Sequence, residues 1–152
     1  MSRTKSKLQA ATLGGSPDDV EAAFYEGLNS GDLEQVMGCW ADEDDIVCIH
    51  PGGARFLGAA AIRASFEELF ADGNNIPAKP SQIHRVEAIA SAVHNVLERL
   101  EILTPQGPTQ AYVLATNVYH QTAQGWRMVA HHASPGTGEE GHAILQGPAV
   151  LH

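Results

Sequence analysis

The 152-residue chain has little cysteine, little positive charge and no long apolar run. Its two cysteines, Cys39 and Cys48, fit neither a disulfide framework nor a metal knuckle, so we expect both to be reduced in a cytoplasmic protein. Nine Lys and Arg against 18 Asp and Glu give a net charge of −9, which repels phosphate backbones and anionic lipids. No apolar stretch approaches the roughly 18 residues of a membrane span. Composition therefore predicts no nucleic-acid partner and no membrane partner.

The chain also lacks internal repeats, a glycine-rich phosphate loop and paired zinc-ligand spacing, so we predict no cofactor and no metal. A metal held by His50, His132 and a carboxylate stays open as an alternative, because ligands assemble in space. The chain does have enough apolar residues to form a core, since 43% of the residues are apolar and 18% are charged. This length and composition predict one domain over 16–135, with a flexible arm over 1–15 and an irregular tail over 136–152.

Helix signals fill the first half of the domain. Ser16 is typical of an N-cap and Pro17 of a first helical position, and Gly31 is a stop signal. The apolar stripe of this helix leaves Glu21 and Glu26 on its outer side. The stripe recurs at three- and four-residue spacing and comprises Val20, Ala23, Phe24, Gly27 and Leu28.

Two further helices and a short hairpin follow. Asp32 is a cap for a short second helix, and residues 59–70 have a helical apolar period that predicts the third helix. Between them, the β-branched run 46–49 predicts a strand that ends in a tight loop, with 55–57 as its partner. The acidic run 42–45 is interpreted as a solvated connection.

The second half of the chain has strand patterns. Residues 83–90, 93–103, 110–121 and 126–134 alternate in polarity and are separated by turn residues, which predicts an antiparallel meander. Helices followed by strands indicate an α+β fold. Glu98, which lies mid-strand, is expected on the exposed or dimer-facing side of the sheet.

Three segments together resemble the nuclear transport factor 2-like superfamily, and within it the SnoaL-like polyketide cyclase group. They are residues 28–33 (LNSGDL), residues 50–53 (HPGG) followed by Gly58, and residues 125–127 (GWR) leading to 132–134 (HAS). The resemblance spans about residues 17–135. It implies a strongly curved antiparallel sheet packed on three N-terminal helices, which is a cystatin-like cone with a pocket at its wide end. It also implies a homodimer formed through the sheet.

The resemblance further implies where a site would lie. Aligned to ketosteroid isomerase in the same superfamily, Phe24 takes the place of the oxyanion-hole tyrosine, and Tyr25 is one residue off. One residue turns a helix by about 100°, so Tyr25 is expected to face elsewhere. His50 corresponds to the general base, and Asn117 to the second oxyanion donor.

Residue chemistry supports the same candidates, each with an alternative. His50 can exchange a proton near neutral pH, or it satisfies loop carbonyls. Asn117 is an amide among apolar neighbours that binds a ligand carbonyl, or it bonds to an adjacent strand. His132 alternates with Trp126 and Met128 on the face expected to line the pocket, or it is a hydrogen-bonded sheet histidine.

We predict that the catalytic residues are His50, Asn117 and His132, and that further side chains line the ligand site. For the aromatic members of that lining the alternative is ordinary core, and for Arg55 it is a solvated loop position. The predicted lining residues are Phe24, Trp40, Arg55, Phe56, Phe66, Tyr119 and Met128.

These residues favour a protein that binds a hydrophobic small molecule carrying a carbonyl or hydroxyl group. Isomerisation, cyclisation or dehydration by His-based acid–base chemistry fits them, with Asn117 and His132 bonding to the developing oxyanion. The alternative is a non-catalytic ligand-binding or oligomerisation module, since the helix-one tyrosine and the base aspartate are both replaced.

Overall fold

The computed structural model describes residues 14–136, which form three helices, one 3₁₀ turn and six strands. Residues 1–13 of the predicted arm (1–15) and residues 137–152 of the predicted tail (136–152) lie outside the described residues. The helices are α1 (Pro17–Ser30), α2 (Leu33–Gly38) and α3 (Ala59–Leu69), the 3₁₀ turn is Ala71–Gly73, and the strands are β1 (Val47–Ile49), β2 (Arg55–Leu57), β3 (Lys79–Glu87), β4 (Ser91–Thr104), β5 (Gly107–Thr122) and β6 (Gly125–Gly136).

The first two helices begin where the cap residues predict. The Ser16 side chain accepts a hydrogen bond from the Asp19 amide at 3.1 Å, and Asp32 accepts one from the Gln35 amide at 3.1 Å. At the end of α1, Gly31 has φ +66°, a left-handed conformation that a Cβ atom disfavours. Local sequence therefore fixes the bounds of α1.

The six strands form one curved, unclosed sheet in the order β2-β1-β6-β5-β4-β3. All neighbours are antiparallel except β1 and β6, which are parallel. The α+β cone expected from the sequence is confirmed, and the parallel pair is a detail that the meander pattern did not indicate. Long strands β4, β5 and β6 make most of the sheet.

A β-bulge in β6 changes which side chains point inward. Val118 pairs with Ala130, whereas the next residue, Tyr119, pairs with Met128, so Val129 is an extra residue. An extra residue reverses the alternation on one side of the bulge. Met128 is therefore followed on the inner face by His131.

The core lies between the inner face of the sheet and helices α1 and α3. Its largest aromatic side chains come from α1, from α3 with the residue that follows it, and from the segment after α2. We call Phe24, Trp40, Phe66 and Phe70 the aromatic cluster; all four are buried. Their rings meet edge to face or tilted, with centroids 5.9 to 6.5 Å apart.

Backbone hydrogen bonds reach both ends of the described residues. The Gly14 carbonyl accepts a hydrogen bond from the Trp126 amide at 3.1 Å, and Gly136 pairs with Tyr112 at the end of β6. Gly125 has φ +103°, and a Cβ atom there would lie 2.8 Å from the Gly14 Cα, so close approach requires glycine. Within residues 14–136, no helix is long and apolar enough to cross a membrane.

Candidate functional site: a buried polar network

Seven polar side chains meet on the inner face of the sheet beneath α1. We call them the polar network. All are buried, and they are joined to one another by hydrogen bonds. They come from four elements: Glu21 and Tyr25 from α1, His94 and Glu98 from β4, Asn117 and Tyr119 from β5, and His131 from β6.

Glu21 is the acceptor at the centre of one half of the network. Its Oε2 accepts from the Tyr119 hydroxyl at 2.7 Å, from Asn117 Nδ2 at 3.4 Å, and lies 2.8 Å from His94 Nδ1. A buried carboxylate is tolerated only when such donors replace water. One oxygen atom on α1 thus holds side chains from both β4 and β5.

Tyr25 and Glu98 form the other half. The Tyr25 hydroxyl donates to Glu98 Oε2 at 2.7 Å and accepts from Asn117 Nδ2 at 3.1 Å. Burial raises the pKa of Glu98 to about 7, an effect that the Tyr25 hydrogen bond opposes and the charge of Glu21 reinforces. Burial also raises the pKa of Tyr25 well above its ordinary value. Glu98 therefore exchanges its proton near neutral pH, whereas Tyr25 stays a donor.

Asn117 connects both halves to His131. Its Oδ1 lies 2.5 Å from His131 Nδ1, and since its Nδ2 already donates, Nδ1 of His131 carries the hydrogen. Burial lowers the pKa of His131 to about 3, and the nearby His50 and His132 lower it further in the same direction. His131 is consequently a neutral hydrogen-bond donor.

His50 lies apart from the network, at the end of β1. Its Nε2 is 2.9 Å from the Ser65 hydroxyl, which itself donates to the Ile62 carbonyl at 2.7 Å. Because the Ser65 hydrogen is donated to Ile62, His50 Nε2 is the donor toward Ser65, and Nδ1 carries the lone pair, 4.0 Å from the Cys48 sulfur. The His50 ring packs 4.9 Å from Phe66, and burial lowers the His50 pKa.

The structure brings some predicted site residues together and separates others. Asn117 and Tyr119 belong to the polar network. His50 sits with Phe66 and the half-buried Phe56, while Arg55 is exposed. The remaining predicted lining residues are core: Phe24, Trp40 and Met128.

The prediction that His132 lines the interior is wrong. His132 is exposed and lies opposite Thr116 on the outer face, because the extra residue in β6 reverses the alternation assumed from Trp126 and Met128. The adjacent His131 takes the inward position.

Three further expectations also fail. Tyr25 does not face away from the interior, and Glu21 and Glu98 are 3% and 5% exposed instead of solvated. The buried arc of α1 is wide enough to include Glu21, Phe24 and Tyr25 together. The i, i+4 spacing of Glu21 and Tyr25 and the alternation of His94 with Glu98 were the available signals for these missed residues.

A surface groove lies between α2 and α3, outside the network. Its volume is about 330 Å³. It is lined by Met37, Trp40, Ala41, Asp42, Ala59, Ala60 and Arg63. Trp40 is thus shared between this groove and the aromatic cluster.

Metal-ligating atoms also gather at one end of the network. Among residues 14–136, Asp18, Glu21 and His94 each place one such atom within 4.8 Å of the others. Asp18 is exposed, so this end of the network is open to solvent.

Three helices packed on a curved, unclosed six-stranded sheet define an α+β protein of the cystatin-like, nuclear transport factor 2-like class, a fold shared with solved structures. The model of the SnoaL-like domain matches residues 18–138, and the chain belongs to this family. Members of this fold include small-molecule-binding domains. No curated protein matches the chain significantly.

Solved structures similar to this chain differ in their described roles. A protein of Thiobacillus denitrificans, provisionally described as a calcium/calmodulin-dependent protein kinase type II association domain, is 37% identical over 81% of this chain and 97% of its own, with a TM-score of 0.70. A provisional dehydratase of Streptomyces avermitilis is 26% identical over 78% and 93%, with a TM-score of 0.68. The S. rosetta CaMKII hub is 18% identical over 78% and 92%, with a TM-score of 0.64, and shares the fold.

Proposed function

We propose that the chain binds an apolar small molecule carrying a carbonyl or hydroxyl group, and that Tyr25, Glu98 and Asn117 meet that oxygen. The observation that carries this proposal is the buried Tyr25–Glu98 hydrogen bond of 2.7 Å, with Asn117 donating to the same hydroxyl. A ligand oxygen would exchange places with one of these internal partners. The small, apolar residues Val113, Ala115 and Ala133 share the inner face beside Glu98.

The cost of the polar network supports a role beyond folding. Buried ion pairs and polar groups contribute little net stability compared with well-packed apolar side chains. Glu21 and Glu98 are both at least 95% buried, a placement that a purely structural core does not need. Groups of this kind concentrate at binding and catalytic sites.

The proposed chemistry is proton transfer. A carboxyl group whose pKa is about 7 is present in both forms near neutral pH. Ionised Glu98 would take a proton from the ligand and return it at another atom, which balances an isomerisation or cyclisation; delivery to a leaving hydroxyl releases water in a dehydration. Tyr25 and Asn117 would stabilise the oxyanion. His50 remains a second proposed proton carrier through the lone pair of its Nδ1.

A fluorescence titration with 2-naphthol, an apolar hydroxyl probe, tests the proposal. Saturable binding is expected for the unmodified chain, with weaker binding for Tyr25→Phe and Glu98→Gln, because each removes a bond to the probe oxygen. His132→Gln is the matched control, since this side chain is exposed on the outer face. No saturable binding, or equal affinities in all four proteins, would contradict the proposed site.

A second candidate function is self-assembly. The relative that is 37% identical is described as an association domain, and it matches nearly its whole length. A homo-oligomer formed through the outer face of the sheet would bury His132, Thr116 and Asn95, which are cross-strand neighbours there. Light scattering of the purified chain should then give a multiple of the single-chain mass, reduced by His132→Glu. A single-chain mass at every concentration contradicts assembly.

A further inference from the structure

His94 has one satisfied and one unsatisfied ring nitrogen in the interior. The side chain is 0% exposed, and Nδ1 lies 2.8 Å from Glu21 Oε2. Nε2 is buried and has no hydrogen-bond partner within the described part of the chain. The atom that it approaches is Asp18 Oδ1, at 4.0 Å.

The hydrogen bonds restrict what Nε2 can carry. Glu21 Oε2 accepts from Tyr119 and Asn117 as well, so it acts as the acceptor toward His94, and the hydrogen lies on Nδ1. In the neutral ring, Nε2 then presents a lone pair toward the carboxylate of Asp18. Two electron-rich atoms repel each other, and a buried nitrogen without a hydrogen-bond partner loses the hydrogen bond that it would make to water. A positive charge between the two atoms would remove both penalties.

We propose that Asp18 and His94 bind a divalent transition-metal ion, with Zn²⁺ as the best fit to an imidazole and carboxylate donor set. Zinc bonds of about 2.0 to 2.2 Å at a tetrahedral angle place a nitrogen and an oxygen ligand roughly 3.4 Å apart. The Asp18 carboxylate, now 4.0 Å from Nε2 and exposed, therefore has to move closer by only about 0.6 Å to share one ion with His94. Glu21 orients the imidazole from behind, in the carboxylate–histidine–metal arrangement of protein zinc sites. Water completes the coordination, since the Asp18 side chain is 59% exposed.

Arg85 is the competing cation at this site. Its Nε donates to Asp18 Oδ1 at 2.9 Å, and its side chain is 39% exposed. A rotation of the Asp18 carboxylate presents one oxygen to the metal and leaves the other to Arg85. Because the guanidinium repels a second cation, removing it should strengthen metal binding.

This site is separate from the proposed ligand site. Tyr25 and Asn117 link Glu21 to Glu98 by hydrogen bonds, and within the described part of the chain neither Asp18 nor His94 is hydrogen-bonded to Glu98. The two proposals can therefore fail independently.

Calorimetric titration of the chelator-treated full chain with ZnCl₂, followed by ¹⁵N NMR of the His94 ring, tests the inference. We expect one saturable site and a Zn²⁺-dependent shift of the His94 Nε2 resonance with Nδ1 still protonated. Asp18→Asn, an exposed position, should weaken binding at least about tenfold, because even the loss of an outer partner costs about 10- to 100-fold. Arg85→Gln should tighten it.

The controls separate this site from ordinary surface histidines. His132→Gln removes an exposed histidine and should leave the affinity unchanged. Melting temperatures without metal establish that each variant is folded. Equal Zn²⁺ affinity in Asp18→Asn and the unmodified chain overturns the inference. A His94 Nε2 that is protonated and insensitive to Zn²⁺ overturns it too, because a proton would then supply the positive charge.

Discussion

The polar network and the aromatic cluster occupy the same interior and are held together differently. Phe24 belongs to the cluster and also packs 5.2 Å from the ring of His131, so the two regions share a boundary. The cluster is stabilised by apolar burial and ring packing, which tolerate exchange of one apolar shape for another. The network depends on directed hydrogen bonds, and almost any exchange of a side chain breaks at least one of them.

The polar network therefore constrains the relative positions of the helix and the strands more strictly than the aromatic cluster does. In the network, one oxygen of Glu21 and one amide of Asn117 bind groups from α1, β4, β5 and β6. Losing one member leaves its partners buried without bonds. In the aromatic cluster, a smaller side chain leaves a gap that neighbours partly fill.

The largest expected effect is that of Glu21→Leu. It leaves the Tyr119 hydroxyl and the His94 Nδ1 hydrogen without an acceptor, so the free energy of unfolding should fall by about 3 to 5 kcal/mol. Urea denaturation measures it. The matched change in the cluster, Phe66→Leu, should cost about 1 to 2 kcal/mol. Equal losses would remove the distinction between the two regions.

Glu98→Gln should change how stability depends on pH. The pKa of Glu98 is about 7 in the folded chain against 4.5 ordinarily, so the folded state binds more protons between about pH 4.5 and 7, and stability falls as pH rises through that window. The glutamine side chain of the variant does not titrate. The variant should therefore gain about 3 kcal/mol relative to the parent between these limits.

His131 provides an internal check on that result. Its pKa is lowered to about 3, so the unfolded chain binds the extra proton and stability rises with pH from about 3 to 6.5. The two slopes oppose each other in the parent chain. Denaturation of Glu98→Gln across this range should expose the rising slope of His131; a variant that tracks the parent at every pH would contradict the shifted pKa of Glu98.

Tyr25→Phe should have an intermediate effect. Removing the hydroxyl leaves Glu98 and one Asn117 donor without a hydrogen-bond partner, which should lower the free energy of unfolding by about 1 to 3 kcal/mol. The same hydrogen bond lowers the Glu98 pKa, so its loss should raise that pKa further. A ¹³C NMR titration of the Glu98 carboxyl measures the change. Phe56→Leu, beside His50, is a control that should leave the Glu98 titration where it was.

The smallest effect is expected for His132→Gln. The side chain is exposed, and an exposed substitution away from special features changes stability by less than about 0.5 kcal/mol. His131→Gln, one residue away, disturbs the Asn117 contact and should cost more. Thermal denaturation of both variants compares them directly, and a reversed order would contradict the assignment of inner and outer faces.

Local signals in the sequence were sufficient for most of the fold. Ser16, Asp32 and Gly31 act within a few residues, so their caps and stop were predictable. The strand order is a long-range property. The parallel pairing of β1 with β6 joins Cys48 to His131, and nothing near either residue in the sequence indicates it.

The candidate site was predictable only in part. Asn117 was found because its strand alternates without interruption, whereas His131 was missed because the bulge at Val129 has no glycine or proline to mark it. Glu21 and Glu98 were assigned to the surface because carboxylates usually lie there. Their burial depends on hydrogen-bond donors from other helices and strands, and a single sequence does not indicate which donor meets which carboxylate.

The extra residue in β6 has an evolutionary consequence. Deleting the single codon for Val129 would remove the bulge and leave His131 inward and His132 outward, because Met128, Ala130 and His131 would then alternate regularly. A single-codon change of length at the bulge therefore leaves the side chains beyond it on the faces they already occupy. An alignment to a relative without this extra residue needs a gap at Val129, or it will compare interior residues with exterior ones.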